Sequence, residues 1–226
     1  MNLLIAGIGP GNPELITLSA LHAASSSDII IVPRSKPDVQ GLAEKVITHH
    51  MPDKKYLPLL FPMTHDAETR DSLILSQLRE NMHEWEHAST IFFPVIGDSM
   101  LYSTGKYLLS AFRHLVPEIE AEFIPGISAH SLAASCAKRF LAMNDEILAV
   151  IPGTANPERI RQTLTACDCA AIYKPTALIN PQELLRGFSV MRIDYAGIPE
   201  RERIIYGEEA LSCIHDYLSI ILLWRD

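Results

Sequence analysis

Four short stretches of the 226-residue chain carry residue types that could do chemistry. Gly7-Ile8-Gly9-Pro10-Gly11-Asn12 has the outline of the glycine turn on which dinucleotide pyrophosphates sit. The third glycine position holds Asn12, however, Pro10 offers no amide donor, and no acidic residue follows Val32 to hold a ribose. A nicotinamide or flavin site is therefore not expected. His83-Glu84-Trp85-Glu86-His87 spells a zinc-hydrolase HExxH. Both histidines fall roughly opposite the apolar stripe Ile74, Leu78, Met82 and Trp85, so they should face solvent, and no metal centre is expected. Gly97-Asp98-Ser99-Met100-Leu101-Tyr102-Ser103-Thr104 combines a glycine for close backbone approach, an acceptor carboxylate and hydroxyls able to cap a helix. Pro125-Gly126-Ile127-Ser128-Ala129 repeats that layout.

The elements that must position these stretches follow from periodicity. β-Branched runs at residues 3–8, 28–32, 90–96 and 119–124 alternate with helical patterns at 13–24, 39–49, 66–87, 102–115 and 127–139, the rhythm of an α/β fold with a mostly parallel sheet. In that scheme the glycine-bearing stretches lie at the carboxyl ends of strands, where α/β proteins bind ligands. The remainder reads as strand 146–151, helix 157–166 and strand 170–173, then extended runs at 189–195, 203–206 and 217–223, which implies a mixed sheet. A boundary near residues 116–118 gives two domains, 1–117 and 118–226, with a ligand cleft expected between them. Asn12-Pro13, Asn156-Pro157 and Asn180-Pro181 read as helix starts, Asn as cap and Pro at the first helical position.

Composition narrows the function classes. Twenty-seven acidic against 19 basic side chains give a net charge of −8, which argues against a nucleic-acid partner. No apolar run, including residues 29–33 and 91–96, reaches the ~18–20 residues of a membrane span, and the first residues lack the basic start of a secretory signal. A cytoplasmic protein with reduced Cys136, Cys167, Cys169 and Cys213 is expected.

Gly7-Ile8-Gly9-Pro10-Gly11 with Leu15 and Thr17, then Gly97-Asp98, Pro125-Gly126-Ile127-Ser128-Ala129 and a strand ending at Tyr173 form an ordered set spanning nearly the whole chain. That set resembles the tetrapyrrole methylases, S-adenosylmethionine-dependent enzymes of the corrin and sirohaem pathways. Val32-Pro33-Arg34-Ser35, Phe61-Pro62-Met63, the Tyr102-Ser103-Thr104 after the Gly-Asp loop and Leu218-Ser219-Ile220 are most similar to the C20-methyltransferases acting on precorrin-2 or cobalt-factor II. The resemblance implies two α/β domains, S-adenosylmethionine in a trough between them, a tetrapyrrole substrate and a homodimer.

It further implies cofactor contacts at Pro10, at Ile96, Gly97, Asp98 and Leu101, at Ser128 and Ala129, at Tyr173, and at Gly197. Tyr102 is the candidate for orienting the substrate or relaying the proton that leaves C20. The macrocycle is ringed with carboxylates, so an acidic protein must meet it with local cations; Arg34, Lys36 and Lys106 are the candidates. Ser99 and Ala142 stand where the family usually has Pro, and Lys174-Pro175 is atypical after the cofactor-lining strand. These departures keep other acceptors open: another ring position, diphthine on a protein or a ribosomal RNA. A carrier that binds tetrapyrrole without turnover is the alternative of a different class.

Overall fold

The computed structural model describes residues 1–62 and 66–225, so Met63 of the Phe61-Pro62-Met63 stretch lies outside the described residues. The chain divides into two units, Met1–Ser128 and Ala129–Asp226. The division falls later than the boundary expected at 117/118, because the strand beginning at Glu120 hydrogen-bonds to the first strand of the chain.

The first unit holds a parallel sheet of β1 (Asn2–Gly7), β2 (Ile29–Arg34), β3 (Tyr56–Leu60), β4 (Thr90–Val95) and β5 (Glu120–Ile124), in the order β3-β2-β4-β1-β5. Alternation along β1 divides its side chains between two cores. Leu3 and Ile5 pack with Ile74 and Leu78 of α3 (Ala67–Glu80) and with Leu108 and Phe112 of α5 (Gly105–Leu115). Leu4 and Ala6 pack with Ala20 and Ala24 of α1 (Leu18–Ser26) and with Val46 and Ile47 of α2 (Leu42–His50). Both faces are covered, which is why β1, β2 and β4 read as apolar runs.

Three local readings need correction. The pattern at 66–87 is not one helix: it breaks at Asn81, whose side-chain amide bonds the Gln77 carbonyl at 2.8 Å, and α4 (Met82–Trp85) follows. The break swings Trp85 into the core, where its indole N–H donates to the Leu78 carbonyl at 2.9 Å. His83 and His87 face solvent beside Glu84 and Glu86. Residues 13–24 likewise split into a 3₁₀ turn at Pro13–Leu15 and α1, which Thr17 caps through a 3.2 Å bond from the Ala20 amide. Strand β3 was not anticipated because Pro58 interrupts its run; β3 is an edge strand, where a missing amide is tolerated.

The second unit carries a mixed sheet of β6 (Leu148–Pro152), β7 (Cys169–Tyr173), β8 (Phe188–Asp194), β9 (Arg203–Tyr206) and β10 (Ser219–Arg225), in the order β6-β7-β10-β8-β9. Only β6 and β7 are parallel; the other pairings are antiparallel, as the clustered late strands imply. Helix α6 (Ala129–Ala137) lies against one face through Ala133, and α7 (Pro157–Thr165) against the other through Ile160 and Leu164. Asn12 and Asn156 cap their turns through side-chain oxygens 2.9 Å from Glu14 N and Glu158 N. Asn180, before α8 (Pro181–Leu184), instead takes a left-handed backbone and makes no side-chain cap.

Candidate active site

Strands β1 and β4 are neighbours, yet the helices that follow them, α1 and α5, cover opposite faces of the sheet. The chain beyond the two carboxyl ends therefore parts to opposite faces after the loops, the arrangement at which parallel sheets bind ligands. The glycine turn and the Gly97-Asp98 loop leave from these two ends. Gly9 and Gly97 form a two-way backbone bridge, Gly97 N to Gly9 O at 2.8 Å and Gly9 N to Gly97 O at 3.3 Å. At Gly7 the approach is closer still, since a β-carbon there would lie 2.6 Å from Gly97 O and 2.7 Å from Gly126 N. Three loops thus meet backbone to backbone.

Asp98 locks the arrangement. One carboxylate oxygen accepts the Met100 amide at 2.8 Å and the other the Gly126 amide at 3.0 Å, which ties the β4 loop to the β5 loop. Gly97 has φ of +79° and nothing within 4 Å of where a β-carbon would stand, so the loop leaves free space beside a strained backbone position. Ser99 Oγ, in the same loop, is buried without a hydrogen-bond partner among the described residues. Free space beside Gly97 and an unpartnered Ser99 hydroxyl fit a ligand rich in hydroxyls and ring nitrogens, such as the adenosyl group. Pro10 is buried in the first turn, while Ile96 and Leu101 are half-buried.

Tyr102 follows with φ of +51°, a costly conformation for a non-glycine residue, and remains 41% exposed. Partial burial pushes its phenol above the ordinary tyrosine value, so it is neutral near pH 7. The Ser103 hydroxyl receives the Gly105 amide at 3.0 Å, whereas Thr104 makes no side-chain cap. Gly105 abuts Ile5 of β1, and a β-carbon there would lie 2.5 Å from Ile5 Cγ2. That glycine fixes how closely α5 approaches the sheet.

The three candidate cations differ. Arg34, expected at a substrate carboxylate, folds onto Glu44 of α2, with Nε to Oε2 at 2.7 Å and Nη2 to Oε1 at 2.5 Å. Its Nη1 bonds Pro37 O at 2.9 Å, so the guanidinium is occupied within the protein. Lys36 and Lys106 are exposed, Lys106 in the first turn of α5, where a cation opposes the helix dipole.

In the second unit, Tyr173 ends β7 with its hydroxyl at the start of α6. It accepts the His130 amide at 3.3 Å and lies 2.7 Å from His130 Nδ1. A phenol donating to Nδ1 while accepting the amide satisfies both distances and leaves the imidazole proton on Nε2. Ser128 and Ala129 lead into the same helix end. Gly197 has φ of +79°, and its amide donates to Glu202 Oε2 at 2.8 Å. Nearby Tyr195 donates to Asp216 at 2.6 Å beneath the Arg201 guanidinium, 3.6 Å from the ring centroid; the Asp216 bond holds the phenol above its ordinary value. The sequence signalled neither His130 nor Glu202, because each acquires a partner only through the fold.

Comparison with known proteins accounts for this arrangement. The family model for tetrapyrrole (corrin/porphyrin) methylases matches residues 2–209. The chain is 28% identical to the probable cobalt-precorrin-2 C(20)-methyltransferase of Methanocaldococcus jannaschii, over 97% of this chain and 94% of that one. It is 29% identical to the precorrin-2 C(20)-methyltransferase of a Sinorhizobium species, over 99% and 96%. Among solved structures, the uroporphyrin-III C-methyltransferase of Thermus thermophilus, complexed with S-adenosyl homocysteine, superposes with a TM-score of 0.68 at 19% identity, covering 99% of this chain and 97% of that one. With the family model matched along most of its length, the chain belongs to the tetrapyrrole methylases, S-adenosylmethionine-dependent methyltransferases.

Proposed function

We propose that this methyltransferase acts at C20 of precorrin-2 or its cobalt form, in cobalamin biosynthesis. The observation that carries the ring position is similarity along almost the full length of two relatives that bear that name. Tyr102-Ser103-Thr104, following the Gly97-Asp98 loop, supports the same reading from within this chain.

In the first unit, the Gly97 and Asp98 loop with Pro10, Ile96, Leu101 and Ser128 takes the adenosyl group through backbone edges held in place by Asp98. In the second, Ala129, Tyr173 and Gly197 are the proposed cofactor contacts. Bound S-adenosylmethionine supplies an electrophilic methyl group, and one proton leaves C20 for each methyl gained. What the protein must contribute is alignment of the meso carbon with that methyl, so binding outweighs acid–base machinery. Tyr102, neutral at working pH, donates a hydrogen bond that orients the macrocycle and can pass its proton on while accepting the one from C20. Lys36 and Lys106 meet substrate carboxylates; an anion beside Lys106 would relieve its opposition to the dipole of α5.

The reading also takes the protein to be a homodimer in the cytoplasm; no helix among the described residues is long and apolar enough to cross a membrane. Methyl transfer to precorrin-2, with and without cobalt, tests the proposal. A methylated C20 supports it, methylation elsewhere points to a related acceptor, and tight binding without turnover points to a carrier.

A further inference from the structure

The loop of residues 35–40, between β2 and α2, leaves the carboxyl end of the parallel sheet beside β4, the strand that carries the Gly97-Asp98 loop. Every residue in it is exposed, but it is not a free strand of chain. Its base is closed twice. Arg34 and Glu44 make their two-pronged ion pair across it, and Gly41 sits so near β2 that a β-carbon there would lie 2.5 Å from Pro33 O. Arg34 Nη1 also holds the Pro37 carbonyl from inside, Gly41 N reaches Glu44 Oε2 at 3.4 Å, and a backbone bridge joins Lys36 to Val39.

Glu44 is only 5% exposed, so its carboxylate is largely removed from water, while Arg34 is half-buried. Burying two charges is a poor route to stability alone, whereas removing one partner leaves the other stranded. A planar two-pronged pair does give geometric definition, which a single lysine contact would not. What it defines is a pinched loop whose outward cation is Lys36, which no acid pairs with among the described residues.

We infer that the Arg34–Glu44 pair is a clasp that fixes the loop of residues 35–40 and so presents Lys36 to a carboxylate of the macrocycle. Arg34 and Glu44 are then positioning residues for substrate, acting through Lys36. The inference rests on the tetrapyrrole reading given above.

Two measurements test it. Glu44→Ala should free Arg34, and trypsin should then cut between Arg34 and Ser35, a bond the clasp protects in the native chain; the neighbouring Lys36-Pro37 bond resists trypsin in both. Equal resistance in the two proteins would overturn the clasp whatever the substrate. The second is a cycle of Lys36→Ala, Arg34→Ala/Glu44→Ala and the triple variant, following precorrin-2 affinity by titration and S-adenosylhomocysteine affinity by calorimetry. Removing both partners avoids stranding a buried charge. Each change should weaken precorrin-2 binding roughly tenfold, the scale of one charge-assisted hydrogen bond, with cofactor affinity within about twofold. The triple variant should be no weaker than either parent, because the clasp acts through Lys36. Additive losses, or an equal loss of cofactor affinity, would overturn the inference. Failure of the native protein to bind precorrin-2 would instead sink the precorrin-2 reading and leave the trypsin result standing on its own.

Discussion

The Asp98 carboxylate accepts the Gly126 amide at 3.0 Å across 28 residues of sequence, joining the loop after β4 to the loop after β5. Its other oxygen holds Met100 N, so one side chain sets the shape of the crevice while leaving lone pairs for a ligand.

Asp98→Ala should therefore impair both stability and cofactor binding. Two amides lose an ionised acceptor, a loss of about 1.5–3 kcal/mol for each hydrogen bond to a charged group, part of which water recovers at this half-exposed site. Affinity for S-adenosylhomocysteine is expected to fall at least tenfold with an unchanged circular dichroism spectrum. Asp98→Asn, which keeps one acceptor oxygen, should lie between.

Gly7 and Gly97 should respond differently to alanine. At Gly7 a β-carbon runs into Gly97 O and Gly126 N, backbone atoms that cannot step aside, so Gly7→Ala should sharply lower the melting temperature. At Gly97 the space is open and only the positive φ opposes a side chain, a penalty of about 1–2 kcal/mol. Gly97→Ala should remain folded and lose cofactor affinity, because the new methyl takes the ligand's space. Calorimetric melting and binding on both variants separate the two effects.

Tyr56 gives a prediction in pH. Burial, reinforced by Glu44, pushes its phenol up to about 12, and its hydroxyl donates to Met51 O at 2.6 Å. The folded value lies above the unfolded value of about 10, so the unfolded chain gives up its proton first. The Tyr56 contribution is complete below about pH 10 and is lost as pH rises through the folded value. Urea unfolding between pH 9 and 12 should show native stability falling more steeply than that of Tyr56→Phe; parallel curves would refute the assignment.

Tyr173→Phe removes the hydroxyl that joins the end of β7 to His130. A stability loss of about 1–2 kcal/mol is expected from the two hydrogen bonds to His130, with a several-fold loss of S-adenosylhomocysteine affinity if the start of α6 needs that anchor. Unchanged affinity would remove Tyr173 from the cofactor contacts.

Much of this was legible in the residues, and the losses have physical causes. Strands β1, β2 and β4 announced themselves because both faces are buried, and the glycine loops because their positions at strand ends leave few alternatives. Strand β3 was hidden by Pro58, tolerable only because β3 is an edge, and tertiary pairing settled that. Asn81 broke an apparently continuous helix: periodicity set both Met82 and Trp85 on the apolar stripe, but only Trp85 is buried and Met82 is exposed. Arg34 shows the limit most plainly. Its charge was evident and its partner was not, since Glu44 lies ten residues on and meets it only when the loop folds back. Glu202 escaped notice for the same reason, and His130 could be given no role.

The central claim is methyl transfer to C20, and locating the methyl tests it most directly. The protein should be incubated with precorrin-2 and S-adenosylmethionine carrying a carbon-13 methyl group, in parallel with the cobalt-containing substrate, and the product examined by NMR. The account predicts one new labelled methyl, attached at C20, with S-adenosylhomocysteine formed in equal amount. A labelled methyl at any other carbon, or no transfer from a protein that binds both ligands, would contradict it.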